Sequence, residues 1–179
     1  MYPEYINDTK RWLERAVMGL NLCPFAKAVH VKNQIRYVLS EATSVEALIE
    51  NLLFELNHLA DAKEDEIDTT LIIHPHVLND FLDYNDFLEV ADGAVEELGL
   101  TGDIQVASFH PQYQFADTER NDITNYTNRS PYPTLHLLRE ASVARAVAAF
   151  PEAAEIFEKN IVTLEKLGHA GWEKLGLNK

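Results

Sequence analysis

Apolar residues recur at helical spacing in several stretches of the chain. The first stretch follows Pro3, a residue that suits the first turn of a helix, and predicts a helix over roughly residues 3–18. A Leu-rich stretch predicts a second helix, which Thr43 or Ser44 caps and which continues through Leu59. Further helical segments are predicted from Pro24 toward Val29, from a cap at Asn79 through Leu98, at Ser142–Phe150 and at Glu152–Leu167.

Short runs rich in β-branched, aromatic or other apolar residues separate these helices and predict strands. The runs are Gln34–Leu39, Thr69–His74, Ile104–Phe109 and Thr134–Leu138. The last run also fits the start of a helix, and we favour a short strand. Because strands alternate with helices, the pattern predicts an α/β or α+β fold. We expect a single layered domain over residues 1–179, with an about four-stranded mixed sheet and crossover helices.

A long polar segment interrupts this alternation before the last strand. Small polar residues, Tyr and Pro dominate from Pro111 to Pro133, and irregular connections this long are uncommon in compact domains unless they are functional or disordered. The segment contains three aromatic residues, Tyr113, Phe115 and Tyr126. We therefore predict an ordered loop and expect the region from His110 to His136 to be the most informative about function.

Charge and cysteine content restrict the classes of partner. Lys and Arg total 15 against 29 Asp and Glu, so the formal net charge of -14 disfavours nucleic acid and anionic membranes. Cys23 is the only cysteine, which excludes an internal disulfide and favours a reducing cytoplasm. No window has the pattern of an export signal or a membrane span. We expect a cytoplasmic protein that binds a small anionic molecule or another protein, including a second copy of the chain.

Two histidines stand where apolar strands stop. His74 and His110 each precede a proline at the end of a predicted strand, and parallel strands would place both imidazoles at one sheet edge. There they could share proton transfer or metal binding with His76 and His136. The alternative is that each imidazole donates to a nearby carbonyl and closes its strand. No metal is assigned, because spaced histidines without a defined motif are a weak signal.

Cys23 has both a chemical and a structural interpretation. If the segment after Pro24 is helical, the helix N-terminus would stabilise a Cys23 thiolate that a neighbouring histidine deprotonates. Alternatively, Cys23 is a small buried residue packed by Leu22 and Phe25, as lone cysteines usually are.

The end of the loop contains anion-binding chemistry. Arg129 and Arg139 offer planar forks suited to carboxylate or phosphate, and the Asn128 amide can satisfy neighbouring oxygens. Together with Tyr113 and His74 they form the predicted ligand-binding set. The alternative is that these arginines form ion pairs with nearby carboxylates and only hold the loop in place.

These residues support three hypotheses. In the first, the protein is an enzyme in which Cys23, His110 and His136 act on an anionic substrate that the arginines bind. In the second, the 110–139 region is a non-catalytic site for a metabolite or a protein. In the third, the loop only braces the sheet. None of them specifies a cofactor.

Three long segments of the chain resemble one known family. Asn21–Ala26, Ser108–Pro111 and Asn128–Arg139 are similar to motifs of the bacterial family called domain of unknown function 1415, and the resemblance spans nearly the whole chain. It implies a bacterial cytosolic setting and brings no established activity, cofactor or catalytic residue.

Overall fold

A four-stranded mixed sheet lies at the centre of the computed structural model, which describes residues 2–177 and the side chains from residue 4 onward. Its strands are β1 (Ile35–Leu39), β2 (Thr69–Ile73), β3 (Ile104–Phe109) and β4 (Thr134–Arg139). The order across the sheet is β1-β2-β4-β3. The predicted α/β class, mixed sheet and final strand are confirmed, and residues 1, 178 and 179 of the predicted domain lie outside the described residues.

Strand direction decides which residues meet at each sheet edge. β1 and β2 are parallel, while β4 runs antiparallel to both of its neighbours, β2 and β3. β2 and β3 therefore point the same way with β4 between them, and Thr134 pairs with both Ile73 and Phe109. The carboxyl ends of β2 and β3 consequently meet the start of β4 at one edge, which we call the upper edge.

Two helices make the crossovers between parallel strands. Helix α3 (Val45–Asp61) joins β1 to β2, and α4 (Phe81–Glu97) joins β2 to β3. Ser44 caps α3 by accepting from the Ala47 amide at 3.3 Å, as the sequence predicts. The predicted cap of α4 at Asn79 is wrong by one residue, because Asp80 accepts from the amides of Leu82 and Asp83.

Helices α3 and α4 bury one face of the sheet. Their apolar positions pack on alternate residues of the central strands, which point to the same face because side chains alternate along a strand. Fully enclosed members of this first core include Leu48, Leu52, Leu56, Tyr84, Ile72, Leu135 and Leu137.

The N-terminal and C-terminal helices form a second core against the other face. Helix α1 (Tyr2–Trp12) continues into a π-helical turn, Leu13–Met18, and a short α2 (Ala26–Val31) follows. A Cβ at Gly19 would lie 2.2 Å from the Arg15 carbonyl oxygen, so only glycine fits where this turn ends. Buried members of the second core are Trp12, Leu13, Ala16, Val17, Leu22, Leu164, Trp172 and Leu177.

After β4 the described chain is mostly helical. Helix α5 (Glu140–Ala149) follows β4 directly, and α6 (Ile156–Glu173) follows a short 3-10 turn, Ala153–Glu155. Gly168 breaks α6 with φ 64° and ψ 174°, immediately after the predicted helix end at Leu167. Within the described residues, no helix is both long and apolar enough to cross a membrane.

Candidate functional site

The loop between β3 and β4 is ordered, as predicted, and its own polar side chains contribute to that order. It contains a 3-10 helix, Ile123–Asn128, in which Asn125 is fully buried. The Asn125 Oδ1 accepts from the Phe115 amide at 2.9 Å and the Thr118 hydroxyl at 2.8 Å, while its Nδ2 donates to the Glu119 carbonyl. One amide therefore bridges distant parts of the loop, which explains how so polar a segment stays folded.

Arg129 is fixed by backbone carbonyls and an aromatic ring. Its Nε donates to the Tyr113 carbonyl at 3.0 Å and its Nη2 to the Arg120 carbonyl at 2.5 Å. The guanidinium carbon lies 4.5 Å from the centre of the Tyr126 ring, within cation–π distance. Within residues 4–177, Nη1 makes no hydrogen bond to another side chain or carbonyl. A fixed positive fork with an uncommitted donor is suited to an anion.

A cavity of about 240 Å³ adjoins this guanidinium, between the loop and the end of α6. We call it the Arg129 cavity. Its lining consists of Trp12, Pro111, Tyr126, Arg129, Ser130, Pro131, His169, Trp172, Glu173 and Leu177. Tyr126 packs edge-on against His169 and Trp172, at ring separations of 5.4 Å and 5.0 Å. The break in α6 at Gly168 sets the direction of the residues that follow it, so it shapes the wall of the cavity that these residues form.

The charges around the Arg129 cavity are nearly balanced in a strongly acidic chain. Arg129 supplies one cation and Glu173 one carboxylate, and His169 adds an imidazole. Trp12 and Trp172 are almost completely buried and supply apolar surface in a lining that also contains charged and polar side chains. An ion in this cavity is less surrounded by water than on an open surface, so it interacts more strongly with Arg129.

His74 and His110 lie together at the upper edge, as their position after parallel strands predicts. Both are fully buried, and Tyr84 lies between them with ring separations of 5.8 Å to His74 and 4.9 Å to His110. The Tyr84 hydroxyl donates to the Thr134 carbonyl and accepts from the Phe109 amide. Tyr84 thus joins β3 to β4 where backbone pairing ends.

These two histidines make the hydrogen bonds expected if each imidazole donates to a nearby carbonyl and closes its strand. The His74 Nδ1–H donates to the Val77 carbonyl and the His110 Nε2–H to the Leu78 carbonyl, each at 3.0 Å. The second ring nitrogen of His110 accepts from the Gln112 amide. Burial lowers the pKa of His74 to about 4 and also lowers the pKa of His110. Both imidazoles are therefore neutral near pH 7 and hold the ends of their strands.

His136 lies in the middle of β4, away from the upper edge. Its Nε2 is 2.6 Å from the Thr69 hydroxyl, which itself donates to the Leu137 carbonyl. Because the hydroxyl proton is used there, the His136 Nε2–H donates to Thr69. Burial lowers the pKa of His136 to about 4.

Arg139 lies at the opposite end of β4 from Thr134, so the structure does not bring it together with Arg129. Its guanidinium donates to the carbonyls of Leu59, Ala62 and Ile67 at 2.7–3.1 Å. These carbonyls end α3 and the segment that follows, where a cation satisfies unpaired acceptors. Arg139 accordingly fastens α3 to the sheet.

Asn128 and Tyr113 support the loop from inside. The Asn128 Nδ2 donates to the Ser108 carbonyl at 3.1 Å, and its own carbonyl accepts from the His110 amide. The Tyr113 ring packs 5.1 Å from Phe81, and the Tyr113 carbonyl receives Arg129. Both residues therefore hold Arg129 and His110 in position.

Cys23 is a partly buried member of the second core. Burial raises the pKa of its thiol, and hydrogen bonds from the Phe25 and Ala26 backbone only partly oppose this. In the described part of the chain no hydrogen bond joins Cys23 to a histidine. The thiol form is favoured over the thiolate that nucleophilic chemistry requires.

Only one residue of the predicted set lines the Arg129 cavity, and that residue is Arg129 itself. The sequence interpretation missed His169 and Glu173, which lie on the last turn of α6 beside Trp172. The sequence did contain a signal for these two residues, because both follow Gly168 closely. A glycine near a helix end allows the chain to change direction, and the residues after it can then face another part of the protein. Among residues 4–177 there is no cluster of three or more His, Cys, Asp or Glu that could hold a metal ion.

Comparisons with known proteins identify the family. Neither the curated proteins nor the solved structures provide a match. A family model described as a protein of unknown function (DUF1415) matches residues 4–174. Because this match covers nearly the whole chain, the protein belongs to the DUF1415 family, and the resemblance of its three motifs is confirmed.

Proposed function

We propose that this protein binds a small anionic molecule in the Arg129 cavity. The observation that carries the proposal is the guanidinium of Arg129, which two carbonyls and the Tyr126 ring hold in place while its Nη1 has no hydrogen-bond partner among residues 4–177. A donor fixed in this way loses little conformational freedom when an anion binds.

The size and chemistry of the cavity favour a compact carboxylate or phosphate. Its volume of about 240 Å³ is slightly below the roughly 300–1,000 Å³ typical of small-molecule sites. His169 adds a donor that is charged when protonated, and Ser130 lines the cavity beside Arg129. Glu173 disfavours a highly charged anion and favours one that also donates a hydrogen bond, such as a monoprotonated phosphate or a hydroxy acid.

A binding role accounts for the surroundings better than catalysis does. The two ring nitrogens of His110 are both engaged with the backbone, and neither His136 nor Cys23 lines the Arg129 cavity. Binding requires only the fixed cation and the groups that line the cavity with it. The single cysteine and the acidic charge support a reducing, cytoplasmic setting for this binding.

Calorimetric titration with inorganic phosphate, succinate and malate tests the proposal. We expect saturable binding of at least one anion by the wild type and a loss of about 10- to 100-fold in affinity for Arg129→Gln, the range for a charged hydrogen bond. His169→Gln should weaken binding and disturb the loop less than Arg129→Gln does, because His169 contacts the loop by edge-on packing against Tyr126 and makes no hydrogen bond to it in the described chain. The control is Arg145→Gln, which removes an exposed arginine elsewhere.

The two variants separate binding from loop bracing. If Arg129 only braces the loop, Arg129→Gln lowers the unfolding midpoint while no anion binds the wild type. The proposal fails if no anion of the panel saturates the wild type, or if both Arg129→Gln and His169→Gln bind as tightly as Arg145→Gln.

A further inference from the structure

A second cavity, of about 530 Å³, lies between the turn after the π-helical segment and the first turns of α6. Its lining consists of Leu20, Asn21, Pro24, Phe150, Glu152, Glu155, Ile156, Glu158, Lys159, Asn160, Val162 and Thr163. It shares no lining residue with the Arg129 cavity. The volume is within the range of typical small-molecule sites.

The lining of this second cavity combines apolar surface with excess negative charge. Leu20, Phe150 and Ile156 are among its apolar residues, whereas its charged residues are three glutamates and one lysine. Lys159 pairs with Glu152 and lies 3.5 Å from Glu155. Glu158 has no cationic partner in the described chain, so the lining is complementary to a cation.

Asn160 adds a fixed acceptor. This residue is only 5% exposed and lines the cavity. Its Nδ2 donates to the Leu22 carbonyl at 2.9 Å, which fixes the orientation of the amide and identifies the other atom as the oxygen. Within residues 4–177 no group donates a hydrogen bond to that Oδ1. The atom is also absent from the completely inaccessible polar atoms that lack a partner, so it remains accessible to a ligand. The buried side chain of Asn160 therefore offers an unpaired acceptor oxygen to a ligand in the cavity.

We propose that this second cavity binds a primary amine on an apolar stem. The ammonium group donates three hydrogen bonds, which match the Asn160 oxygen and the glutamate carboxylates, and the stem covers the apolar walls. An anion is excluded by the glutamates, and a purely apolar ligand would leave the Asn160 oxygen without a donor. The site is independent of anion binding at Arg129.

Lys159 is an internal competitor in this arrangement. Its own ammonium occupies Glu152 and Glu155, so an incoming amine meets two carboxylates that are already partly neutralised. Removing this charge by Lys159→Gln frees both carboxylates. A structural role of the lysine alone would lower stability and leave amine affinity unchanged, whereas competition predicts tighter amine binding.

Calorimetric titration of the wild-type protein with cadaverine, a linear diamine, is the test. We expect saturable binding, a gain of about two- to fivefold in affinity for Lys159→Gln and a similar loss for Glu158→Gln, the range set by exposed charge pairs. Glu89→Gln, an exposed glutamate on α4, changes net charge equally and serves as the matched control. Pentanoate and pentanol should not bind.

A short peptide with one internal lysine distinguishes the two sources of such an amine. Tighter binding of the peptide indicates a lysine side chain, and tighter binding of cadaverine indicates a free alkylamine; either result supports the proposal. It is overturned if neither ligand saturates, if pentanol binds as well as cadaverine, or if Glu89→Gln weakens binding as much as Glu158→Gln. Unfolding midpoints of all variants verify that each one is folded.

Discussion

Arg129 and Arg139 bind backbone carbonyls, and their positions separate two roles. Arg129 spends two of its nitrogens on the loop and keeps the third beside a cavity, whereas Arg139 directs its donors at the end of α3. Carbonyls at a helix end are left without partners inside the helix, so a guanidinium there compensates several acceptors at once. Arg139 is therefore a structural residue by its contacts.

Replacing Arg139 by Met tests this role at the residue scale. The apolar stem is kept, but the carbonyls of Leu59, Ala62 and Ile67 lose their charged donor. We expect the free energy of unfolding to fall by roughly 2–4 kcal/mol, measured by urea denaturation. Arg145→Met, at an exposed ion pair with Glu64, should change it by about 0–1 kcal/mol. Equal effects of the two substitutions would contradict the assignment.

At the scale of elements, the break in α6 decides the shape of the Arg129 cavity. Gly168 adopts φ 64° and ψ 174°, a conformation that is essentially confined to glycine. The turn after it carries His169 and Trp172 onto Tyr126. A straight α6 would direct these side chains elsewhere, so one backbone conformation controls a whole wall.

Gly168→Ala should destabilise the protein by about 1–3 kcal/mol. No atom lies within 4 Å of the added Cβ, so the cost is backbone strain alone. Thermal unfolding measures the change, and near-ultraviolet circular dichroism reports the packing of Trp172. Gly93→Ala is the matched control, because it also meets no neighbour but lies inside α4, where alanine should stabilise by up to about 1 kcal/mol. The interpretation is wrong if the two variants shift stability in the same direction.

At the scale of the whole molecule, three histidines are buried or partly buried in neutral form around the sheet. Burial lowers the pKa of His74 and His136 to about 4 and also lowers the pKa of His110. The unfolded chain takes up protons near a pKa of about 6.5, where the folded protein does not. The stability they contribute is therefore complete above about pH 6.5 and is lost as the pH falls toward about 4.

The pH dependence of urea denaturation checks this prediction. We expect the free energy of unfolding to fall between pH 7 and pH 4.5. The shifted pKa of His74 alone accounts for a decrease on the order of 3 kcal/mol once the pH has fallen through its whole range. His136→Gln should reduce the slope over this interval. His76→Gln, which removes an exposed histidine, is the matched control. A wild-type slope retained in His136→Gln would show that His136 does not contribute.

The spacing of apolar residues in the sequence predicted the helices and strands better than it predicted the residues of the Arg129 cavity. Runs of apolar residues located the four strands to within a residue or two, because burial on a sheet imposes its own periodicity. The placement of His74 and His110 at one edge also followed from strand direction. Arg129 and Arg139, in contrast, are close in sequence but are separated by β4, because Arg129 precedes the strand and Arg139 ends it, and the strand spans roughly 17 Å.

The sequence by itself determined the α/β class, the ordered loop, the family and the acidic character of this protein. Each of these depends on local periodicity, composition or contiguous motifs. Only the tertiary structure decided that His169 and Glu173 line the same cavity as Arg129, and that Arg139 fastens α3 instead. The reason is physical: a cavity is defined by distances between segments far apart in the chain, and those distances are set by strand order and by the break at Gly168.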